Sequence, residues 1–310
     1  MADNKKKRKR AFRLEVPVKL GDLQVDTFQV ETEATPTDEV DLPELEILQP
    51  PPPPVLSAEE IEASKAWRLE LDEATLLAIL KRGTFGVYKL IPWGSNYTFL
   101  ASLHDEEDSG KEYAVVYKPL KGEAPLWDFP SGTLYRRERA AYLVSRALGW
   151  NFIPPVIIRD GPHGVGTVQL FIDVDEQVEF YTFRRDHAHE LKRIAVYDAI
   201  TNNADRKAGH CLLGLDNFIW GIDHGLCFNT VPKMRTIIWD YSGEPLPTDI
   251  YEDLAGLLNN AKRANLLRGQ LRELLDRREV DIFFRRLEQT VENPIFPPFS
   301  SRRQIPWGFF

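Results

Sequence analysis

The clearest chemistry in the sequence lies in two acidic residues and their neighbours. The stretch Asn202-Asn203-Ala204-Asp205-Arg206-Lys207-Ala208-Gly209-His210-Cys211-Leu212-Leu213 is followed by an apolar run, Phe218-Ile219-Trp220, and then by Gly221-Ile222-Asp223-His224-Gly225. The apolar runs around a short turn predict a two-stranded hairpin, whose two ends lie side by side. Asp205 and Asp223, one before the hairpin and one after it, therefore come to one site. Two nearby carboxylates repel, and without a cation one of them tends to stay protonated. A divalent metal removes the conflict. So does a division of labour in which one acid acts as base and the other binds metal.

Asp205-Arg206-x-x-x-His210 followed by Ile222-Asp223-His224-Gly225 resembles the Asp-Arg-His-x-x-Asn and Asp-x-Gly pair of the phosphatidylinositol 3-/4-kinase superfamily. That superfamily also takes in HipA-type bacterial Ser/Thr kinases and the secretory-pathway kinases. Three further stretches are similar to an uncharacterised bacterial family, mostly actinobacterial, distantly related to the lipid kinases. They are Tyr117-Lys118-Pro119-Leu120 with Leu126-Trp127-Asp128-Phe129-Pro130, Asn202 to His210, and Gly221 to Phe228. The resemblance spans residues 67 to 310 and brings no established activity with it.

What it implies is an α+β, two-lobed kinase-like fold, with an antiparallel β-rich smaller lobe and a helical larger lobe. ATP would lie between the lobes with Mg2+ or Mn2+, and phosphoryl transfer would go to a hydroxyl on a protein or small molecule. Asp205 is then the candidate proton acceptor, and Arg206 pairs with a carboxylate or steadies the loop. Asp223 is the candidate metal ligand. His210 stands where the superfamily has Asn or Glu as second metal ligand. Mg2+ prefers oxygen ligands and imidazole suits Mn2+, Fe or Zn2+ better, so His210 shifts metal preference, binds phosphate, or serves structurally. Lys207 replaces the usual His, and His224 is expected to pack rather than react.

These residues need a frame. Glu112 to Leu120 predicts a strand with Tyr113, Val115 and Tyr117 on one face and Ala114, Val116 and Lys118 on the other. The resemblance gives Lys118 to phosphate. Thr133 to Leu148 predicts a helix in which Leu134, Glu138, Ala141, Ser145 and Leu148 share one stripe. A carboxylate on an apolar stripe is costly unless paired, and Lys118 is the natural partner of Glu138. Strands are also expected at Phe85 to Trp93 and Tyr97 to Leu103. Between them Gly94-Ser95-Asn96 resembles a phosphate-covering turn, with Ser95 and Asn96 as contacts. A hairpin at 156–172 leads to a hinge near Phe171 to Val174, where the backbone at Phe171 is offered to adenine. Helices are expected at 58–66, 72–82, 186–201, 249–262, 265–277 and 280–292.

Residues 1 to 56 read as a disordered tail: a basic block, Lys5 to Arg10, then an acidic stretch, then Pro50 to Pro54. The smaller lobe would run over 57–173 and the larger over 174–310. A net charge of −8 argues against a nucleic-acid binder. No apolar run approaches the ~20 residues of a membrane span. Two cysteines give no disulfide framework, and a monomer in a reducing cytoplasm is the simplest setting. Two rival readings use the same residues. One is a pseudokinase that binds nucleotide or acts as a scaffold. The other is a transition-metal hydrolase built on His210, Cys211, Asp223, His224 and Cys227.

Overall fold

The computed structural model describes residues 71–91, 96–107, 111–175 and 177–306. The expected tail, the helix at 58–66 and the Gly94-Ser95 part of the phosphate-covering turn lie outside these residues. Helix α1 (Glu73–Arg82) starts where Asp72 accepts a hydrogen bond from Thr75 N at 2.8 Å, and it buries Leu76, Ile79 and Leu80.

Strands β1 (Thr84–Ile91), β2 (Thr98–His104), β3 (Glu112–Pro119), β4 (Val156–Gly161) and β5 (Gly164–Leu170) form one antiparallel sheet in the order β1-β2-β3-β5-β4. Period-two alternation in β3 sends Tyr113, Val115 and Tyr117 into the core. Ala114, Val116 and Lys118 stay half-buried on the other face. Across from Pro119, next to Lys118, the neighbouring strand carries Gly166. A Cβ there would stand 2.3 Å from the Lys118 carbonyl oxygen, so the close approach of β5 to β3 requires glycine.

Helix α2 (Leu134–Leu148) packs on β4 and β5. The Glu123 carboxylate, from the loop before it, accepts hydrogen bonds from Leu134 N (3.1 Å) and Tyr135 N (2.8 Å), which caps the positive end of the helix. Gly149, left-handed at φ 75°, ends it. The whole stripe Leu134, Glu138, Ala141, Ser145, Leu148 is buried, Glu138 included.

The second core is helical. Helix α3 (Phe180–Phe183) is a single turn that the sequence reading missed, and α4 (Ala188–Thr201) follows it. Leu191, Ile194, Tyr197 and Ile200 of α4 join Val280, Phe283, Phe284 and Leu287 of the last long helix in one apolar cluster. The hairpin β6 (Cys211–Leu213) and β7 (Ile219–Gly221) is present, with Cys211 opposite Gly221 and Leu213 opposite Ile219. Helices α5 (Thr248–Asn259), α6 (Ala261–Arg272) and α7 (Arg277–Glu292) complete this part. The chain beyond α7 is seated on the rest of the fold. Phe296 is buried, and the Gln304 carbonyl accepts hydrogen bonds from Thr236 N and Trp239 Nε1. Among the described residues no helix is long and apolar enough to cross a membrane.

Candidate active site

Lys118 stands at the centre. Its ammonium donates to Glu138 Oε1 at 2.6 Å and to Asp223 Oδ1 at 3.2 Å. Burial works against the charged lysine, but the two carboxylates outweigh it and hold its pKa above the ordinary value. The second Glu138 oxygen accepts the backbone N–H of His224 at 2.9 Å. One buried glutamate thus ties strand β3 to the Ile-Asp-His-Gly segment. The pairing that the apolar stripe demanded is present, and it faces Asp223.

Asp223 itself adopts a left-handed backbone, φ 59°, a conformation that Asp tolerates better than most residues. Its carboxyl is half exposed. Lys118 holds it well below the usual carboxylate range.

Arg206 is not where a residue touching substrate would be. It is fully buried beneath the loop, and so is its partner Asp198 of α4, with Arg206 Nη2 to Asp198 Oδ1 at 3.0 Å. The same guanidinium donates to the carbonyls of His210 (3.1 Å) and Ile222 (2.9 Å) and meets His224 Nε2 at 2.7 Å. Arg206 therefore bolts the two ends of the hairpin together from below. Arg206 thus pairs with a carboxylate and steadies the loop, a positioning part and not one that touches substrate. His224, fully buried, packs as expected. Asn203 completes the floor, donating to Asp198 Oδ1 (2.9 Å) and accepting from Asp205 N (3.0 Å). In Asp198→Asn the Arg206 cation would stay buried with no counter-ion and no means of shedding its proton. Chemical denaturation should show a loss of about 3–5 kcal/mol.

Above this floor lie Asp205, Lys207 and His210. Asp205 Oδ2 pairs with Lys207 Nζ at 3.0 Å, both side chains being about a quarter exposed. Burial raises the Asp205 carboxyl from its ordinary value, and the Lys207 contact pulls the other way. His210 bridges the two acids. Its Nδ1 lies 2.8 Å from the Asp205 carbonyl oxygen, and its Nε2 lies 3.4 Å from Asp223 Oδ2. Burial depresses its pKa to about 4, so the ring is neutral near pH 7.

The Asp205 carbonyl at 2.8 Å favours the proton on Nδ1 over the longer contact from Lys207 N at 3.4 Å. Nε2 then presents a lone pair to a carboxylate oxygen, two acceptors face to face, which is the arrangement a shared cation satisfies. A backbone carbonyl fixing the other ring nitrogen is the usual support of a metal-binding histidine. The donor set therefore fits a divalent ion, and imidazole in it favours Mn2+ over Mg2+.

The nucleotide side is less as expected. Ser95 lies outside the described residues. The Asn96 side chain accepts Ala124 N at 2.7 Å, so this oxygen holds the loop before α2 instead of facing outward. The backbone N–H of Phe171 is engaged by the Ala114 carbonyl at 3.0 Å and is not on offer to a base. The sequence reading missed Arg137. It is fully buried beside Glu138, and its guanidinium reaches the Cys227 carbonyl (2.8 Å) and Glu279 Oε1 of α7 (2.5 Å). Cys211 and Cys227 are buried free thiols, and burial pushes Cys211 up to about 12. Among the described residues no three His, Cys, Asp or Glu side chains gather as a metal cage.

Residues 88–299 match the model of the family described as phosphatidylinositol 3- and 4-kinase. The chain belongs to that family. Protein Rv2133c of Mycobacterium tuberculosis is 38% identical over 273 residues, which covers 75% of this chain and 95% of that one. Phosphatidylinositol 4-kinase gamma 4 of Oryza sativa subsp. japonica is 27% identical over 269 residues, 73% of this chain and 46% of that protein. The chain thus spans less than half of the rice kinase. The solved structure of hydra Fam20 with sugar superposes with a TM-score of 0.50 at 15% identity, covering 77% of this chain and 90% of that one. The fold is the two-lobed, kinase-like α+β arrangement of phosphatidylinositol 3- and 4-kinase relatives.

Proposed function

We propose that the chain is an ATP-dependent phosphotransferase acting on a hydroxyl of a protein or small molecule. The observation that carries this reading is the Lys118 ammonium held between Glu138 and Asp223, with Asp205 joined to the same site through His210. In this reading Lys118 meets the phosphates, and Glu138 keeps it aimed. Asp223 and His210 hold a divalent ion, which would neutralise charge on the phosphates. Asp205 orients the acceptor and takes its proton. The acceptor oxygen bonds to the terminal phosphorus as the bond to the bridging oxygen breaks and ADP leaves. Arg206, Asn203 and Asp198 keep the Asp205 loop in register.

Nucleotide would sit against the half-buried face of β3 that carries Val116 and Lys118, near Asn96 and Phe171. A module that binds nucleotide without turnover has one observation in its favour: Lys207 covers an oxygen of Asp205 that would receive the proton. ATP titration by calorimetry, with Mg2+ and Mn2+ in separate runs, paired with an ADP-release assay against cell lysate, tests the proposal. Binding that needs the metal, stronger with Mn2+, together with ADP release is the expected result. Absence of metal-dependent ATP binding would remove the phosphotransfer reading, and binding without ADP release would favour the module.

A further inference from the structure

The segment at 235–237 lies alongside the Asp205 loop as a short parallel ladder. Arg206 N donates to the Arg235 carbonyl (3.0 Å), Ile237 N to the Arg206 carbonyl (3.1 Å), and Arg235 N to the Asn203 carbonyl (2.9 Å). Arg206 and Thr236 are the bridge partners, and both are buried toward Asp198. Successive side chains of extended chain alternate in direction. Asp205 and Lys207 on one chain and Arg235 on the other therefore emerge together on the opposite, partly exposed side. The Arg235 charge acts on the Asp205 carboxyl from there.

The balance of charge on this face is uneven. Asp205 already has its counter-ion in Lys207. Arg235 makes no ion pair among the described residues. On this face Asp205 stands with two cations, Lys207 and Arg235; Asp223, which also acts on Asp205, lies across the His210 ring and is assigned to the metal. A guanidinium fork matches an oxyanion with two parallel hydrogen bonds.

We propose that Arg235 is a specificity-determining residue of the acceptor site, binding an oxyanion that the acceptor carries next to its reacting hydroxyl. This rests on the assignment of Asp205 to the acceptor. The shared chemistry is a phosphate or carboxylate group, and a neutral alcohol lacks what Arg235 recognises. Lys207 supports the same anion when Asp205 turns its oxygen to the hydroxyl.

The test titrates inorganic phosphate, and separately acetate, into the full chain saturated with a non-hydrolysable ATP analogue and Mn2+. Blocking the nucleotide site removes phosphate binding there. Wild-type chain should bind one of the two anions. Arg235→Gln should bind it roughly 10–100-fold more weakly, the size of a lost charged hydrogen-bond pair. Arg235→Lys, which keeps charge but not the fork, should fall between and guards against a misfolded variant. Affinity for the nucleotide analogue should stay within about twofold, since Arg235 is placed on the acceptor side. Preference for phosphate or acetate tells which oxyanion the acceptor carries. Equal anion binding by wild type and Arg235→Gln, or no binding of either anion by wild type, overturns the proposal. If the analogue itself does not bind, the phosphotransfer reading fails, and the same titration on nucleotide-free chain still decides Arg235.

Discussion

Asp223→Ala is expected to abolish turnover and to weaken metal-dependent ATP binding by at least about 100-fold. The size follows from the several kcal/mol of charge stabilisation that a metal on phosphate supplies, at tenfold per 1.4 kcal/mol. The variant should still fold. Asp223 is half exposed, and Lys118 keeps its stronger contact to Glu138 when the carboxylate is gone. Its left-handed backbone suits Asp and Asn better than Ala, so a modest drop in melting temperature is expected as well. Calorimetric titration of ATP with and without Mn2+ reads the effect. Unchanged ATP affinity in this variant would show that Asp223 holds no metal on the nucleotide.

Asp205→Ala should behave differently. ATP affinity should remain nearly that of wild type, while turnover falls by roughly 10²–10⁴-fold, the range for losing a general base. The His210 ring that joins Asp205 to Asp223 touches the Asp205 backbone carbonyl and not its carboxylate. The metal site should therefore survive removal of the side chain. Lys207 loses its partner but is partly exposed and can hydrate. Measuring ATP affinity and ADP release on the same preparations separates the two acids. Equal loss of ATP binding in both variants would sink the division of labour between them, and a wild-type chain without turnover would mark a binding module.

Much of this arrangement was legible because certain residues break a local pattern. Glu138 interrupts an apolar helix stripe, and only a paired carboxylate is tolerated there, so the need for a partner was legible from spacing, while the resemblance helped to name Lys118. The hairpin was legible from apolar runs on either side of a turn. The depth of Arg206 was not written in its neighbourhood: which carboxylate it pairs with shows only when Asp198, eight residues earlier, is seen to lie on the buried face of α4. An aspartate within that apolar run was the signal, of the same kind as Glu138. Arg137 was missed for a related reason. Its partners, Cys227 and Glu279, are 90 and 142 residues away, beyond any local pattern. Asn96 and Phe171 were placed by order along the chain. Order says which segment reaches the cleft but not which of its polar atoms are already engaged.

Arg137 has a mechanical consequence. The helix that aims Glu138 sits against the small sheet, yet this neighbouring arginine anchors it to α7 and to the chain just past Asp223. Rotating the helix outward would strand a buried arginine, at about 3–5 kcal/mol. An outward state would then hold under about 1% of molecules. Drawing Lys118 and Glu138 apart by helix swing would have to meet that cost, so the pair stands joined at rest.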